Sequence, residues 1–289
     1  MAAINKASTQ TAVANNLVLA AKLTERHQTV VDQTVWKIPM KKGVNQIDLP
    51  TYGTVAVSAL TDGTDLSSNS AFTPTVATFT ASERGALIVV TDKAMRENQE
   101  QVTKLAGREL GRAWAEDVDT QLITNFDNFA TSLGGATTEI TPKYALAAMG
   151  FLQGNSTARI PMDGDVFGVL HPYQGYELQS ALSLPGTSNV PLDLQSKLIS
   201  RMFVASLFGA RLFISGLITV SSDAAKGAIY HRQAIVKVEQ LGMRIEEERD
   251  ATLRATEYVL CGDWGHGEYK DTWGVEMFFY AQTPSGTTI

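Results

Sequence analysis

The residues best suited to chemistry lie near the C-terminal end, where His266 stands between two glycines with Asp263 and Glu268 close by. An imidazole and two carboxylates are the groups that a metal site or an acid–base enzyme uses. A metal there needs ligands from distant parts of the chain, because no two histidines are close in sequence. An enzyme built on these three residues is therefore one alternative, while the main interpretation expects no catalytic, cofactor-binding or metal-binding residues.

Other reactive side chains have structural interpretations. Cys261, the single cysteine, excludes an internal disulfide, fits a reducing cytosol, and is predicted to be a small core residue. The run Glu246-Glu247-Glu248 predicts the solvated face of an edge strand or loop. Asp62 and Asp65 lack calcium-loop spacing and indicate a turn. His171, just before a proline, is predicted to be structural. The sequence has no phosphate-binding loop, serine nucleophile elbow or His-Glu-x-x-His zinc motif.

Composition excludes several classes of protein. With 44% hydrophobic and 19% charged residues, the 289-residue chain is typical of folded proteins and not of disordered ones. A net charge of -6 argues against a dedicated nucleic-acid binder, which needs clustered basic residues. No secretory signal is visible, and the most apolar segment, 203–220, is too interrupted for a membrane helix. We therefore expect no membrane partner.

Charge is distributed unevenly along the chain. Residues 1–50 carry six basic and three acidic residues, a net charge of +3, whereas residues 241–289 carry four basic and nine acidic residues, a net charge of -5. Opposite charges could bring the start of one copy to the end of another. The alternative is two solvated surfaces without a partner.

The first third of the chain predicts extended structure with little core of its own. Residues 1–30 are polar and indicate an arm. In residues 51–83, Val55, Val57 and Ala59 alternate with the small residues Thr54, Ala56 and Ser58, a turn-rich stretch follows at 61–70, and a second Thr-rich run contains Val76 and Phe79. This pattern predicts a long hairpin. Because an isolated two-stranded hairpin is marginal in water, it must rest on its own domain or on a neighbouring chain.

A long helix is predicted next. The β-branched run Ala86–Val90 leads into Thr91-Asp92, a good N-cap pair, and apolar residues then recur at three- and four-residue steps from Met95 to Phe129. No proline interrupts this stretch, which predicts a helix over 92–130. A coiled coil is the competing interpretation, but the apolar spacing drifts off a heptad.

The rest of the chain mixes short strands and helices. Strands are predicted at 166–170, 211–215, 227–230 and 275–280, with helices starting at Pro142 and Pro172 and another over 192–203. Residues 231–254 are interpreted as a short helix, a turn and a strand. Because no regular βαβ rhythm is present, the predicted fold class is α+β.

The order of these elements resembles the major capsid proteins of tailed double-stranded-DNA phages, whose fold is named after phage Hong Kong 97. Three stretches carry the resemblance: Leu87–Ala94, similar to the family's strand into its spine helix; Val166–Pro172, similar to its strand-to-helix turn; and 227–263 with Tyr269 and Trp273-Gly274 beyond it, similar to its closing segment. The resemblance in the order of elements spans nearly the whole chain.

The resemblance implies a division of the chain into parts. An N-terminal arm would occupy 1–35, and the first part of the peripheral P-domain 36–139, with an extended E-loop hairpin at 48–86 and the spine helix at 92–130. The axial A-domain would occupy 140–235, with 183–191 as its candidate loop at capsomer centres. Residues 236–289 would form the P-domain return and C-terminus.

The resemblance also implies partners and a location. The chain would form pentamers and hexamers of an icosahedral shell around double-stranded DNA, in non-specific contact with it, within the virion and, during assembly, in the host cytoplasm. A separate scaffolding protein is expected, since no long charged helical extension precedes the arm, with a portal and a maturation protease as further partners. The type member's covalent cross-link starts from a hairpin lysine, and residues 51–83 contain none, so that chemistry is expected to be absent.

Two further alternatives remain open from sequence. A cellular nanocompartment shell, similar to encapsulins, has the same fold and packages an enzyme instead of a genome. A tail or adhesin protein would form rods or trimers instead of closed shells.

Overall fold

The computed structural model describes residues 29–41, 43–53, 55, 57, 59–60, 62–63, 73–155, 159–183, 204–207 and 209–283. In these residues the strands form three mostly antiparallel sheets without βαβ repeats, which confirms the predicted α+β class. No helix among them is long and apolar enough to span a bilayer. The predicted loop 183–191 beyond Ser183, the predicted helix 192–203 and nearly all of the predicted arm lie outside the described residues.

The strands, in chain order, are β1 (Trp36–Pro39), β2 (Gln46–Tyr52), β3 (Pro74–Thr80), β4 (Ser82–Thr91), β5 (Ser132–Gly134), β6 (Val166–Leu170), β7 (Val204–Leu207), β8 (Ala210–Ile214), β9 (Val220–Ser221), β10 (Ala224–His231), β11 (Ile235–Asp250), β12 (Ala255–Glu268) and β13 (Gly274–Tyr280). The α-helices are α1 (Asp92–Ile123), α2 (Pro142–Gly154) and α3 (Pro172–Ser183). Short 3₁₀ turns lie at Val31–Gln33, Thr124–Asn128 and Asp271–Trp273.

The long helix α1 begins where the sequence predicts. The Thr91 hydroxyl accepts a hydrogen bond from the Ala94 N–H at 3.3 Å, which caps the first turn. The α-helix ends at Ile123, and a 3₁₀ turn follows it, so the last residues of the predicted 92–130 span are not α-helical. At 1.5 Å per residue its 32 residues span about 48 Å. Its buried stripe recurs at four-residue steps: Leu110, Trp114, Val118 and Leu122.

A four-stranded sheet in the order β1-β11-β12-β4 packs one face against α1. Its centre is the long β11–β12 hairpin, whose register shifts near Glu239 and Leu241. The short helix predicted within 231–254 is wrong: a turn at 232–234 leads directly into the 16-residue strand β11. Side chains along β11 beyond residue 240 alternate between more and less exposed positions, as a half-buried strand requires.

A second sheet contains seven strands in the order β5-β13-β10-β6-β8-β7, with β9 paired to β10. Every residue of β6 is buried, as its continuous apolar run predicts. Helix α3 is fastened to this sheet by the buried Gln174 amide, which donates to the carbonyl oxygens of Ala225 at 2.8 Å and Phe279 at 3.2 Å. Helix α2 packs Tyr144 against Phe279, with ring centroids 4.8 Å apart.

The predicted domain division stays a prediction. The order of strands in the sheets differs from their order along the chain. Strand β13 belongs to the segment 236–289 but pairs with β10 and β5 in the seven-stranded sheet. The preceding strand, β12, lies in the four-stranded sheet. The two sheets are therefore joined by the short connection 269–273.

Candidate assembly surfaces

Strands β2 and β3 form a separate two-stranded sheet. They pair from Gln46 opposite Thr80 to Tyr52 opposite Pro74, and neither pairs with a third strand in the described part of the chain. The paired part is therefore 46–52 with 74–80, and the described residues between 53 and 73 contain no strand. One face carries Ile47, Leu49, Ala77 and Phe79, as the alternation of strand side chains dictates.

The base of this hairpin packs on the four-stranded sheet. A small cluster of buried residues joins the two: Met40, Phe79, Ala81, Val236 and Val238. Two glycines of β12 permit the close approach, because a Cβ at Gly265 would lie 2.1 Å from the Thr80 carbonyl oxygen and one at Gly267 would lie 2.8 Å from the Phe79 ring. The Tyr269 hydroxyl also donates to the Pro50 carbonyl oxygen at 3.1 Å.

The far end of the hairpin exposes apolar side chains. Val55 is 60% exposed, Leu60 77% and Val57 98%, and Tyr52 and Val76 are also exposed. Scattered exposed apolar residues are ordinary, but five within one thin element form an exposed apolar surface. We call residues 52–60 with Val76 the hairpin tip.

A second apolar surface lies on the four-stranded sheet, on the face opposite α1. Leu87 and Val89 of β4 are 55% and 41% exposed, and Val259 of β12 stands directly opposite Leu87. Charged residues lie beside them on the same face: Arg244, Glu246, Glu248 and Glu257. We call this surface the open sheet face.

The predicted site residues do not come together. Asp263 and His266 are an odd number of positions apart on one strand, so their side chains point to opposite faces. The His266 Nδ1 lies 3.0 Å from the Asn125 amide nitrogen, and burial and the Arg84 charge lower the pKa of His266. Burial and the neighbouring Asp271 carboxyl raise the pKa of Glu268 to about 8. No group of three potential metal ligands occurs among the described residues.

The other candidates occupy structural positions. Cys261 is buried, as predicted, and its Sγ accepts a hydrogen bond from Arg244 Nε at 3.2 Å. His171 is buried at the start of α3, where its Nδ1 accepts from the Tyr173 N–H at 3.2 Å. The triple-glutamate run lies on the outer half of β11, which β1 does not cover, so the predicted edge strand is confirmed. Of Asp62 and Asp65, for which the sequence indicates a turn, Asp62 lies in a turn as predicted and Asp65 lies outside the described residues.

A buried polar cluster that sequence reasoning missed lies where the described chain begins. Asp119 of α1, only 1% exposed, accepts hydrogen bonds from three consecutive backbone N–H groups, those of Val30, Val31 and Asp32. The sequence did contain one sign of this cluster. Asp119 is an acid on a helix face where the positions four and eight residues before it, Ala115 and Gly111, are small and apolar.

Beside it, the Asp32 carboxylate binds Lys237 Nζ at 2.7 Å and also pairs with Lys37. Burial alone would raise the pKa of Asp32, but the two lysines outweigh it and lower that pKa. Lys237 also lies over the Trp264 ring, 5.2 Å from its centroid, with the Arg84 guanidinium 5.1 Å from the same ring. These contacts make residues 29–37 part of the folded body.

The same fold occurs in solved structures from phages and in one virus-like particle. The capsid of Ralstonia phage GP4 superposes with a TM-score of 0.69 at 10% identity, covering 88% of this chain and 89% of that one. A structure of Mycobacterium phage Che8 gives a TM-score of 0.65 at 19% identity, covering 86% and 91%. A virus-like particle from Pyrococcus furiosus gives 0.61 at 9% identity, covering 91% and 98%.

These likenesses establish the predicted Hong Kong 97-type fold. At such low identities they establish the fold alone. No protein-family profile and no curated protein matches the chain at the level of sequence.

Proposed function

We propose that this chain is the major capsid protein of a tailed double-stranded-DNA phage, and that copies of it assemble into the icosahedral shell around the genome. Beyond the shared fold, one observation carries the proposal. The β2–β3 hairpin pairs with no third strand in the described residues, yet its tip presents a group of exposed apolar side chains. The base of this thin ribbon is held by the body of the same chain, whereas burial of its tip on another molecule would add the stability that the exposed end lacks.

The molecule that best fits the hairpin tip is a second copy of the chain. The open sheet face has exposed apolar side chains at its centre, Leu87 and Val89, which match the apolar side chains of the hairpin tip. A tip from one copy on the sheet of the next is a heterologous contact, in which two different surfaces meet. Such contacts close into rings when the rotation between copies allows it, and rings of five and six tile an icosahedral shell.

The size of the tip indicates that one contact alone is weak. Burying Val55, Val57 and Leu60 would stabilise a contact by roughly 1.5–3 kcal/mol per side chain. Association costs at least about 4 kcal/mol in lost translational and rotational freedom. Stable assembly therefore needs several such contacts per subunit, as in a closed shell.

The proposed role is structural and requires no cofactor. A chain with a net charge of -6 would surround packaged DNA in non-specific contact without binding it tightly, because tight binding needs many phosphate–cation contacts. We further propose a separate scaffolding protein and a portal as partners, with assembly in the host cytoplasm and a final place in the virion.

The test is a substitution at the most exposed apolar residue of the hairpin tip. Val57→Asp should abolish particles in negative-stain micrographs of the expressed chain, since a charge would be buried in each contact, and the circular dichroism spectrum should not change. The control Val57→Ile keeps the apolar surface and should assemble normally. Particles at wild-type yield from Val57→Asp would contradict the assigned role of the tip. Co-purified DNA would support a capsid, whereas a co-purified enzyme would indicate a nanocompartment.

A further inference from the structure

Three short connections join the four-stranded sheet and α1 to the seven-stranded sheet in the described part of the chain. Residues 129–131 lead from the 3₁₀ turn after α1 to β5, residues 232–234 lead from β10 to β11, and residues 269–273 lead from β12 to β13. We call them the first, second and third connection. The third connection contacts both of the others, so the bonds that hold it affect how the two sheets are attached to each other.

Backbone groups hold the third connection to the second. The N–H groups of Tyr269 and Lys270 donate to the Ala234 carbonyl oxygen at 2.8 and 3.3 Å. Neither bond involves a side chain that gains or loses a proton. This attachment should therefore be the same at every pH at which the chain is folded.

A carboxylate holds the third connection to the first. The Asp271 Oδ1 accepts a hydrogen bond from the Ala130 N–H at 2.5 Å. The Phe129 ring also packs over Gly274, where a Cβ would lie 2.1 Å from the ring. Of these contacts, the bond to Asp271 is the one that a change of protonation can affect.

Glu268, the last residue of β12, lies against Asp271. Its carboxyl is hydrogen-bonded to the Asp271 carboxyl, and its Oε1 is enclosed and has no hydrogen-bond partner in the described structure. A bond between two carboxyl groups requires one proton, because two carboxylates in contact repel each other. Burial and the neighbouring Asp271 raise the pKa of Glu268 to about 8, so the pair holds a proton at neutral pH.

The other charged and titratable groups on the elements around Glu268 have partners of their own. They are His266 of the same strand with Asn125, Lys237 of β11 with Asp32, Lys226 of β10 with Asp127 of the 3₁₀ turn and Glu276 of β13, Arg232 of the second connection with Asp165, and Lys270 of the third with the Trp273 ring. These cations are therefore engaged elsewhere and do not neutralise a second charge on the carboxyl pair.

We propose that Glu268 and Asp271 form a proton-dependent fastening between the first and third connections. With one proton in the pair, Glu268 donates to Asp271, and Asp271 also accepts from the Ala130 N–H. Without that proton, the two carboxylates repel each other, the Asp271 side chain moves away, and its bond to Ala130 is lost. The first connection is then loosened while the second stays attached. This device belongs to the single subunit and does not depend on the proposed shell function.

Hydrogen exchange of the full-length chain, measured by mass spectrometry in peptides that contain Ala130, tests the fastening. Each observed rate is compared with the intrinsic rate at the same pH, so that the comparison reports the opening of the bond. In the wild type, the protection of Ala130 should fall about tenfold between about pH 6.5 and 9, and this loss should exceed any loss in β10. Asp271→Ala, which removes the acceptor, should show the low protection at every pH.

Two neutral replacements test the carboxyl pair itself. Glu268→Gln keeps a donor without a charge, and Asp271→Asn keeps an acceptor for Ala130 and can donate to a charged Glu268. Both variants should keep the protection of Ala130 up to about pH 9. Glu246→Gln, at an exposed position on β11, should follow the wild-type profile.

A constant protection of Ala130 in the wild type, or the same fall in Glu268→Gln as in the wild type, would overturn the proposal. If Glu268→Gln fails to fold, the comparison of the wild type with Asp271→Asn decides. A fall in the wild type alone would then support the fastening, and an equal fall in both proteins would refute it.

Discussion

At the scale of single residues, two buried acids and one half-buried acid show three ways of placing a carboxyl in this protein. Asp32 is paired with lysines, and Asp119 is held by backbone N–H groups. Glu268 instead lies beside another acid, Asp271, and its buried Oε1 has no hydrogen-bond partner in the described structure. A charged Glu268 is the least well satisfied of the three, so this residue should make stability depend on pH.

The first prediction concerns how the free energy of unfolding depends on pH through Glu268. The pKa of Glu268 is raised from 4.5 to about 8 in the folded chain, so the protonated form favours folding. Its contribution is complete below about pH 4.5 and is lost as the pH rises to 8. Glu268→Gln, which stays neutral, should flatten this decline and be more stable than wild type at pH 8, by about 1–2 kcal/mol after allowance for solvent screening.

Urea unfolding measured from pH 5 to 8.5 checks this prediction. Glu246→Gln, at an exposed position on the neighbouring strand, should keep the wild-type slope. Identical slopes for wild type and Glu268→Gln would show that Glu268 is charged in the folded chain.

At the scale of elements, the hairpin is held to the body by contact between backbones. The absence of a side chain at Gly265 lets β12 approach the Thr80 carbonyl directly. Neither partner in this contact can rotate away, because the nearest atom is a backbone oxygen and not the end of a flexible side chain. The orientation of the hairpin therefore depends on this glycine.

A substitution at Gly265 tests whether the orientation of the hairpin depends on this glycine. Gly265→Ala should displace the base of the hairpin and cost about 1–3 kcal/mol of stability, in the range of overpacked cores. Hydrogen exchange should show the loss of protection mainly in β2 and β3. Gly216→Ala is the control, because a Cβ there meets no atom within 4 Å. Equal protection of β2 and β3 in both variants would mean that the contact does not hold the hairpin.

The extent to which the sequence predicts the architecture differs from element to element. Helix α1 was predictable because Thr91 caps it and its apolar positions recur without a proline. Strand β11 was not, because its outer half lies at an edge and carries helix-forming Glu, Met and Arg residues, so local composition hides the strand alternation. The hydrogen bonds between Asp119 and residues 30–32 could not be predicted either, because they join parts of the chain almost ninety positions apart and leave no local sequence pattern.

At the scale of the whole molecule, the structure divides into a well-packed body and a projecting hairpin. The two larger sheets share one continuous set of buried residues with α1, and a separate small cluster secures the hairpin base. The hairpin tip lies beyond both. The body should therefore fold without the tip, while assembly should require it.

Replacing residues 53–73 with Asn-Gly tests this division. The two-residue turn suits the register of Tyr52 opposite Pro74 and should preserve the paired strands. We expect a folded subunit whose thermal unfolding midpoint is close to that of the wild type and which forms no particles in sedimentation or negative-stain microscopy. The wild-type chain expressed in parallel is the reference for yield. Normal particles from the shortened chain would show that residues 53–60 of the tip are not needed for assembly.

The burial of Cys261 has a practical consequence. The chain contains one cysteine, which is buried and whose Sγ accepts a hydrogen bond from Arg244. A thiol engineered at any surface position would thus be the accessible one in each polypeptide, and maleimide dyes or gold clusters could be attached there without first removing the natural cysteine. On a particle built from many identical copies, such labels would report the spacing and symmetry of the lattice directly.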